Sequence, residues 1–460
     1  MSKSYSKLTT TVFTRFIEDI FNREALKQLA QDLRFVVRSR KMDPQLLVAA
    51  ILDGINDKEW SISSIFRKYN NLCSAKGKEK SNWAPFYDFI EKPQFLDFAE
   101  FLSAAISKFA SQFRCKRTTP LMEILQEKLG VDDVYTQDGC SLTLHSNKLA
   151  LSCPGTSGKP AIKLHYTMSL KNLLPISFSF TGGTSSERAE IPMDKLKGKL
   201  IICDAGYRSQ ELFQQIDEAG GLYLIKLSYD ANTEVMFQAV LDRDGNSGRV
   251  ESPTDSQCNP IGANHRHNRD KKNRDLIVKI LNGTASMRMV RIWNPEEQQF
   301  VNFATNISPD ALDIYQVAEL YRARWQVERK FRVFQGFNGL KGSRSSKERI
   351  QKAFMLFAMM ASDLKQLMSF LLEDTTNREV SHEKMAQGGT DHLNNLLTAM
   401  CSGRGLKKAI RCLLKCVDDV AKGPTSAINR ARGKWMPGII KVLSRERFVT
   451  PMIFQWQKLH

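Results

Sequence analysis

Apolar residues recur three and four apart through Val12 to Ile20, Leu46 to Ile55 and Phe95 to Phe109, the period of helices that bury one face. Residues 1–125 therefore predict an all-helical region. Inside it, Pro44 to Tyr69 reads as a helix, a turn near Asp57 and a short helix from Ile62 that carries Arg67 and Lys68. That is the outline of a helix-turn-helix, and equally of a plain helical hairpin with solvated basic residues.

At Val134 the period changes. Val134 to Asp138, Leu142 to Cys153 and Ile162 to Met168 alternate or run apolar as strands do, with Gly and Pro turns between them. Lys199 to Cys203 is a short apolar run suited to a strand covered on both faces; helix-like Ser209 to Glu218 and the apolar run Leu222 to Lys226 follow. Strand, helix, strand implies a parallel pair in an α/β core. Glu234 to Leu241, Leu276 to Leu281, Met287 to Trp293 and Gln299 to Ala304 then predict a β-rich insertion over residues 228–306. Ser308 as N-cap and Pro309 at the first helical position predict a helix running to Phe334. Beyond Lys347 the chain is mostly helical and basic, with a polar break near Gly388 and Gly389. The expected architecture is multi-domain α/β: a helical region 1–125, an α/β region 126–345 interrupted by the insertion, and a helical region 346–460.

A net charge of +18 on 460 residues gives a field that attracts a polyanion such as nucleic acid. The N-terminal MSKSYSKLTTT has no apolar stretch behind its basic residues, which argues against a secretory signal. The longest apolar run, Ala353 to Ala361, falls well short of the ~20 residues that span a bilayer and reads as a buried helix. Nine cysteines lie scattered without CxxC pairs, so reduced thiols in a cytoplasmic protein are expected. Three stretches look chemical, and the first two are discounted. His265 and His267 have no third ligand nearby, DRDGNSG from Asp242 has too few acids for a calcium loop, and HRHNRDKKNRD from His265 is either a phosphate contact or a solvated charge run.

Two acids end apolar strands: Asp138, followed by Gly139, and Asp204, followed by AGY. An acid there is costly unless a metal, a partner or solvent offsets its charge, although a turn cap accounts for either one alone. Tyr321, Arg324 and Glu328 are spaced by three and four along one helical face, and Arg332 falls on that face too. Such a face is no apolar packing stripe; it is either a functional face or an exposed salt-bridged one. Three carboxylates suit phosphodiester chemistry, because two Mg²⁺ ions about 3.5–4 Å apart activate the attacking oxygen and stabilise the leaving one. Hard oxygen ligands select Mg²⁺, with Mn²⁺ as a substitute, over zinc. On this reading Asp138 bridges both metals, Asp204 and Glu328 hold one each, and Arg324 and Arg332 contact phosphates.

YTQDG around Asp138, LIICDAGYRS around Asp204 and LYRARWQVERKF around Glu328, in that order, resemble bacterial insertion-sequence transposases of the DDE class, the group often called the IS-four family. That family's signature is Tyr, two residues, Arg, three residues, Glu, six residues, Lys; Tyr321, Arg324 and Glu328 fill its first three places, and the Lys place holds Gln335. The resemblance implies a ribonuclease-H-like core with a β-strand insertion between the second and third acids. It also implies cutting at the ends of a mobile element and joining of the freed 3′-hydroxyl to target DNA. Implied partners are double-stranded DNA, as terminal inverted repeats and target, and a second copy of the chain in a DNA-bound homodimer, within the bacterial cytoplasm and nucleoid. No membrane is implied. The N-terminal helices would recognise the ends and the C-terminal helices would supply dimer contacts. Gln335 removes a phosphate-binding cation, for which Arg332 or Lys341 would substitute, and Ala205 stands where the family commonly has Arg. Trp293 is a candidate to stack an extruded base, or else a core residue. Two rival readings are a ribonuclease-H-like nuclease without strand transfer and a catalytically inactive DNA-binding descendant of a transposase.

Overall fold

The structure is a computed structural model that describes residues 7–36, 42–57, 60–144, 146–228, 233–241, 248–251, 271–280, 286–337, 339–340, 345–421 and 435–446. Seven helices come first: α1 (Thr10–Ile20), α2 (Arg23–Asp32), α3 (Pro44–Ile55), α4 (Ile62–Ala75), α5 (Trp83–Ile90), α6 (Pro93–Ala110) and α7 (Thr119–Leu129). Side-chain oxygens satisfy the orphan amides at several starts. Asn22 caps α2, Asp43 caps α3 ahead of Pro44, and Ser61 with Ser64 makes a reciprocal box at α4. Helix α3 is buried on nearly every side. Lys68 of α4 reaches back to Asp53 at 2.8 Å and Asp57 at 3.3 Å. These contacts make α3 and α4 a packed hairpin in which Lys68 is already paired with acids.

The strands are β1 (Asp133–Thr143), β2 (Ala161–Ser169), β3 (Pro175–Gly182), β4 (Lys199–Cys203), β5 (Leu222–Leu227), β6 (Thr233–Leu241), β7 (Gly248–Glu251), β8 (Asn273–Ile280), β9 (Ser286–Asn294) and β10 (Gln299–Thr305), with α8 (Gln210–Glu218) between β4 and β5. Among the described residues they form one sheet of order β3-β2-β1-β4-β5-β10-β9-β8-β6-β7. Strands β1, β4 and β5 are parallel and their neighbours antiparallel. The first five are a ribonuclease-H-like core. The insertion does not make a layer of its own, because β10 pairs with β5 (Ala304 opposite Ile225) and continues the sheet sideways.

Two strand expectations need correction. The run from Leu142 ends as a strand at Thr143; Asn147–Leu149 form a 3₁₀ turn, since this stretch closes its hydrogen bonds locally, Cys153 N–H to Leu149 C=O. Strand β3 was not anticipated, because it lies at the sheet's edge with both faces half-buried and its Phe178 and Phe180 alternate with serines.

The helix expected from Ser308 also starts later. The Ser308 carbonyl closes a turn with the amides of Ala311 and Leu312. Asp313 then caps α9 (Ile314–Tyr321), accepting from Tyr315 and Gln316 at 2.9 Å each while Gln316 Oε1 accepts the Asp313 amide at 3.1 Å. A reciprocal box offers two bonds at the helix start and sets the boundary. Arg322–Arg324 tighten into a 3₁₀ turn before α10 (Trp325–Phe337).

Helix α11 (Glu348–Thr376) is long and apolar enough to cross a membrane by composition, but its apolar window is entirely buried, which makes it the central core helix. Around it stand α12 (His382–Gly388), α13 (Thr390–Ser402), α14 (Leu406–Lys415), α15 (Val417–Val420) and α16 (Trp435–Leu443). One continuous core joins α1, α3, α6, α9, α10 and α11 to Val134, Leu200, Ile202 and Leu224 on one sheet face. The alternate residues Tyr135, Ile201, Cys203, Tyr223 and Ile225 pack with α8 on the other. Strand parity thus fixes which side chains meet the helical layer.

Candidate active site

Parallel pairing sets Tyr135 beside Ile201 and Thr136 beside Ile202. Two residues further along the same register, Asp138 comes level with Asp204. Both share the parity of Ile202, so both carboxylates leave the sheet on the face covered by α9–α11. The residue opposite Asp138 on β2 is Tyr166, whose ring stands edge-on to Phe334 at 5.3 Å and Phe331 at 6.0 Å. Burying these rings, at about 1.5–3 kcal/mol each, seats α10 against β1 and brings Glu328 in its first turn to the strand ends.

Arg324 joins two of the acids. Its Nη1 is 3.2 Å from Asp138 Oδ2 and its Nη2 bonds Glu328 Oε1. The other oxygen of Asp138 accepts the Gly139 amide at 2.8 Å. Asp204 caps the turn Ala205–Tyr207, accepting the Gly206 amide at 2.9 Å on Oδ1. Burial pushes the Asp138 carboxyl up to about 6; the Gly139 bond and Arg324 oppose this, while the charges of Asp204 and Glu187 add to it. Two of the three acids therefore share one guanidinium, and its Nε, also buried, has no hydrogen-bond partner.

Tyr321 packs its ring on Phe303 of β10 at 4.8 Å, with the Arg324 guanidinium 5.8 Å from the ring centre. Its enclosed hydroxyl has no hydrogen-bond partner, and burial holds its pKa above the ordinary value. Arg332 lies exposed over the Trp325 ring at 5.2 Å. Gln335 donates its amide to Cys140 Sγ at 2.9 Å, tying α10 to β1 two residues past Asp138. Trp293 is not gathered with the acids: it sits on β9, three strands from β4 or roughly 14 Å across the ladder. There it meets Phe300 edge-on at 5.0 Å, with Lys271 over its ring at 4.9 Å. Lys341, the histidines at 265 and 267, and the turn from Asp242 lie outside the described residues.

Sequence reasoning missed Glu187. It lies in the loop between β3 and β4 and pairs with Lys163 at 3.2 Å. A Cβ on Gly139 would stand 2.4 Å from its Oε1, so the glycine after Asp138 makes room for a fourth carboxylate behind the strand. The only hint in the sequence was the glycine itself.

The donor chemistry fits hard divalent cations: oxygens only, on β1, just past the end of β4 and on a facing helix, with burial first and the neighbouring acids second pushing one carboxyl up. Asp138 does not end its strand as expected, because β1 stays paired with β2 as far as Thr143. With Arg324 between them the acids do not close into a ligand set of their own. Among the described residues, the trio of His, Cys, Asp or Glu donors that lies within 4.8 Å of one another is elsewhere: Cys115, Glu373 and His382.

No curated protein matches the chain. Among solved structures it is similar to the cryo-EM structure of a piggyBac transposase synaptic complex with hairpin DNA, at 11% identity and a TM-score of 0.41, covering 91% of this chain and 88% of that one. The family model of the transposase DDE domain matches residues 138–362, a stretch that opens on Asp138 and takes in Asp204 and Glu328, so this part of the chain is a transposase DDE domain.

Proposed function

We propose that this transposase cuts DNA at the ends of an insertion sequence of the IS-four type and joins the freed 3′-hydroxyls to target DNA. The observation that carries the reading is the charge imbalance at the strand ends: Asp138 and Glu328 share Arg324, with Asp204 level beside them. Asp138, Asp204 and Glu328 would hold two Mg²⁺ or Mn²⁺ ions, which when bound supply an activated attacking oxygen and a stabilised leaving oxygen. Arg324, seated on Tyr321, exchanges its carboxylate partners for a DNA phosphate when cations take over the acids. Exposed Arg332 reaches a flanking phosphate. Gln335 holds α10 against β1 and adds no charge. The +18 charge collects the duplex. The substrate ends are paired by a DNA-bound homodimer on the bacterial nucleoid, with the N-terminal helices reading the terminal repeats.

The test is Mg²⁺-dependent cleavage of DNA copied from the flanks of the native gene. The wild-type chain should cut at the inverted-repeat boundary, while Glu328→Gln and Asp138→Asn should cut at least about 10³-fold more slowly, the loss of roughly 4 kcal/mol of transition-state stabilisation. DNA affinity should stay within about twofold, since neither acid binds phosphate. Cutting by Glu328→Gln at the wild-type rate would refute the assignment. Binding without cutting by the wild type in both metals would favour the inactive-descendant reading, which Gln335 in the Lys place supports.

A further inference from the structure

Far from the acids in sequence and chemistry, three side chains from three segments converge. Cys115 lies in the link between α6 and α7, Glu373 near the end of α11 and His382 at the start of α12. Cys115 Sγ is 4.0 Å from His382 Nε2, and Glu373 Oε1 is 3.9 Å from that same nitrogen. The three donor atoms all lie within 4.8 Å of one another. From these distances we infer a zinc site formed by Cys115, Glu373 and His382, three protein donors with the fourth position left to water.

The carboxylate contact is too long for a hydrogen bond and the sulfur contact sits at the outer limit for one, so no complete relay is made. A thiol–imidazole–carboxylate relay also needs the acid on one ring nitrogen and the thiol on the other. Here both face Nε2, and the Gln366 amide nitrogen lies 2.8 Å from Nδ1 and 3.1 Å from Nε2. Donors brought from three segments to a common point are what a bound ion requires. Around tetrahedral zinc the sulfur–nitrogen edge is about 3.5 Å and the nitrogen–oxygen edge about 3.3 Å, so the two separations from His382 need to shorten by only about half an ångström each.

Burial supplies the independent observation. Cys115 and Glu373 are 0% and 1% exposed. Glu373 Oε1 accepts the Val380 amide at 3.2 Å, but its Oε2 is buried without a hydrogen-bond partner. Such an oxygen is costly to bury. Thiolate, imidazole and carboxylate together suit zinc and not Mg²⁺, which separates this site from the three acids. Its two anionic donors neutralise the ion. The link also donates the Cys115 amide to the Lys171 carbonyl beside the β2–β3 turn, and Lys116 Nζ to the Glu373 carbonyl at 2.7 Å. A metal there pins the approach to β1 onto the C-terminal helices.

The test uses the full chain, stripped with a chelator and titrated with Zn²⁺ against a chromophoric indicator, and with Co²⁺ followed by absorbance. The wild type should take up one equivalent at this site, give a thiolate-to-cobalt charge-transfer band and melt at a higher temperature with zinc than without. Cys115→Ser and His382→Gln should lose the band and weaken zinc at least about tenfold. Glu328→Gln, and Cys412→Ser as a control for the exposed thiol, should behave as wild type. Absence of a cobalt–thiolate band in the folded wild type would overturn the inference, as would its loss in Cys412→Ser or its retention in Cys115→Ser. Should Cys115→Ser not fold, the wild-type and Cys412→Ser spectra decide the question alone.

Discussion

The two halves of the sheet each set an arginine against carboxylates, and they do it differently. In the extension, Arg288 and Asp275 are 0% and 1% exposed and meet through two parallel bonds of 2.9 Å. The remaining Nη1 donates to the carbonyls of Ile307 and Leu312 at 2.9 Å each. Charge is matched and the fork is fully used. At the end of the core strands, Arg324 faces Asp138 and Glu328 with Asp204 alongside, and its Nε has no partner. A matched buried pair fixes how chain segments sit, here β8, β9 and the turn that leads into α9. An unmatched cluster of acids leaves room for cations from outside.

The comparison breaks most visibly at Arg288. Removing one member of a buried pair strands the other charge, at a cost of about 3–5 kcal/mol. Arg288→Met should lower stability by that amount in chemical denaturation, and the double variant Arg288→Met with Asp275→Leu should recover much of it. A single-variant loss below about 1 kcal/mol would mean the pair does not hold the extension.

Asp133, the first residue of β1, sharpens the contrast, since it is a buried acid met chiefly by hydrogen bonds. Ser169 Oγ donates to it at 2.6 Å, the Val134 amide at 2.8 Å and the Lys171 amide at 3.2 Å. Burial nevertheless pushes its carboxyl up to about 6 from an ordinary 3.8. Because the folded value lies above the unfolded one, its contribution is full below pH ~4 and is lost as pH rises through ~6, by at most about 3 kcal/mol. Asp133→Asn should flatten that part of the stability–pH curve relative to wild type. An unchanged slope would show that the hydrogen bonds hold the charge without penalty.

The smallest effect is expected at Arg324. Without divalent ions, Arg324→Ala should be less stable by about 1 kcal/mol, because a partly solvated pair is lost. Added Mg²⁺ should then raise the melting temperature of the variant more than that of the wild type, since no guanidinium competes for the acids. Equal gains in the two proteins would show that Arg324 and the cations do not share a place.

The strands β4 and β5 and helix α8 were legible because their patterns are local: KLIIC and LYLIKL are apolar on both faces, and Ser209 caps QELF in plain view. The edge strand β3 was not, since a half-solvated strand has little apolar signal. The start of α9 was misplaced because Ser308–Pro309 and Asp313 both look like helix starts, and only the reciprocal bond with Gln316 distinguishes them. Asp138, Asp204 and Glu328 were nameable from strand ends and helical spacing. Glu187 and the trio of Cys115, Glu373 and His382 were not, since nothing periodic relates them.

By itself the sequence determined most of the order of elements, the identity of the three acids, and the excess of positive charge, because each follows from neighbours a few residues apart or from composition. Tertiary structure alone decided that the insertion would extend the core sheet, that Arg324 would settle between Asp138 and Glu328, and that a cysteine, a glutamate and a histidine from three distant segments would meet. Those outcomes rest on contacts between residues far apart in the chain, where packing and the matching of buried charge, and no local period, select the partner.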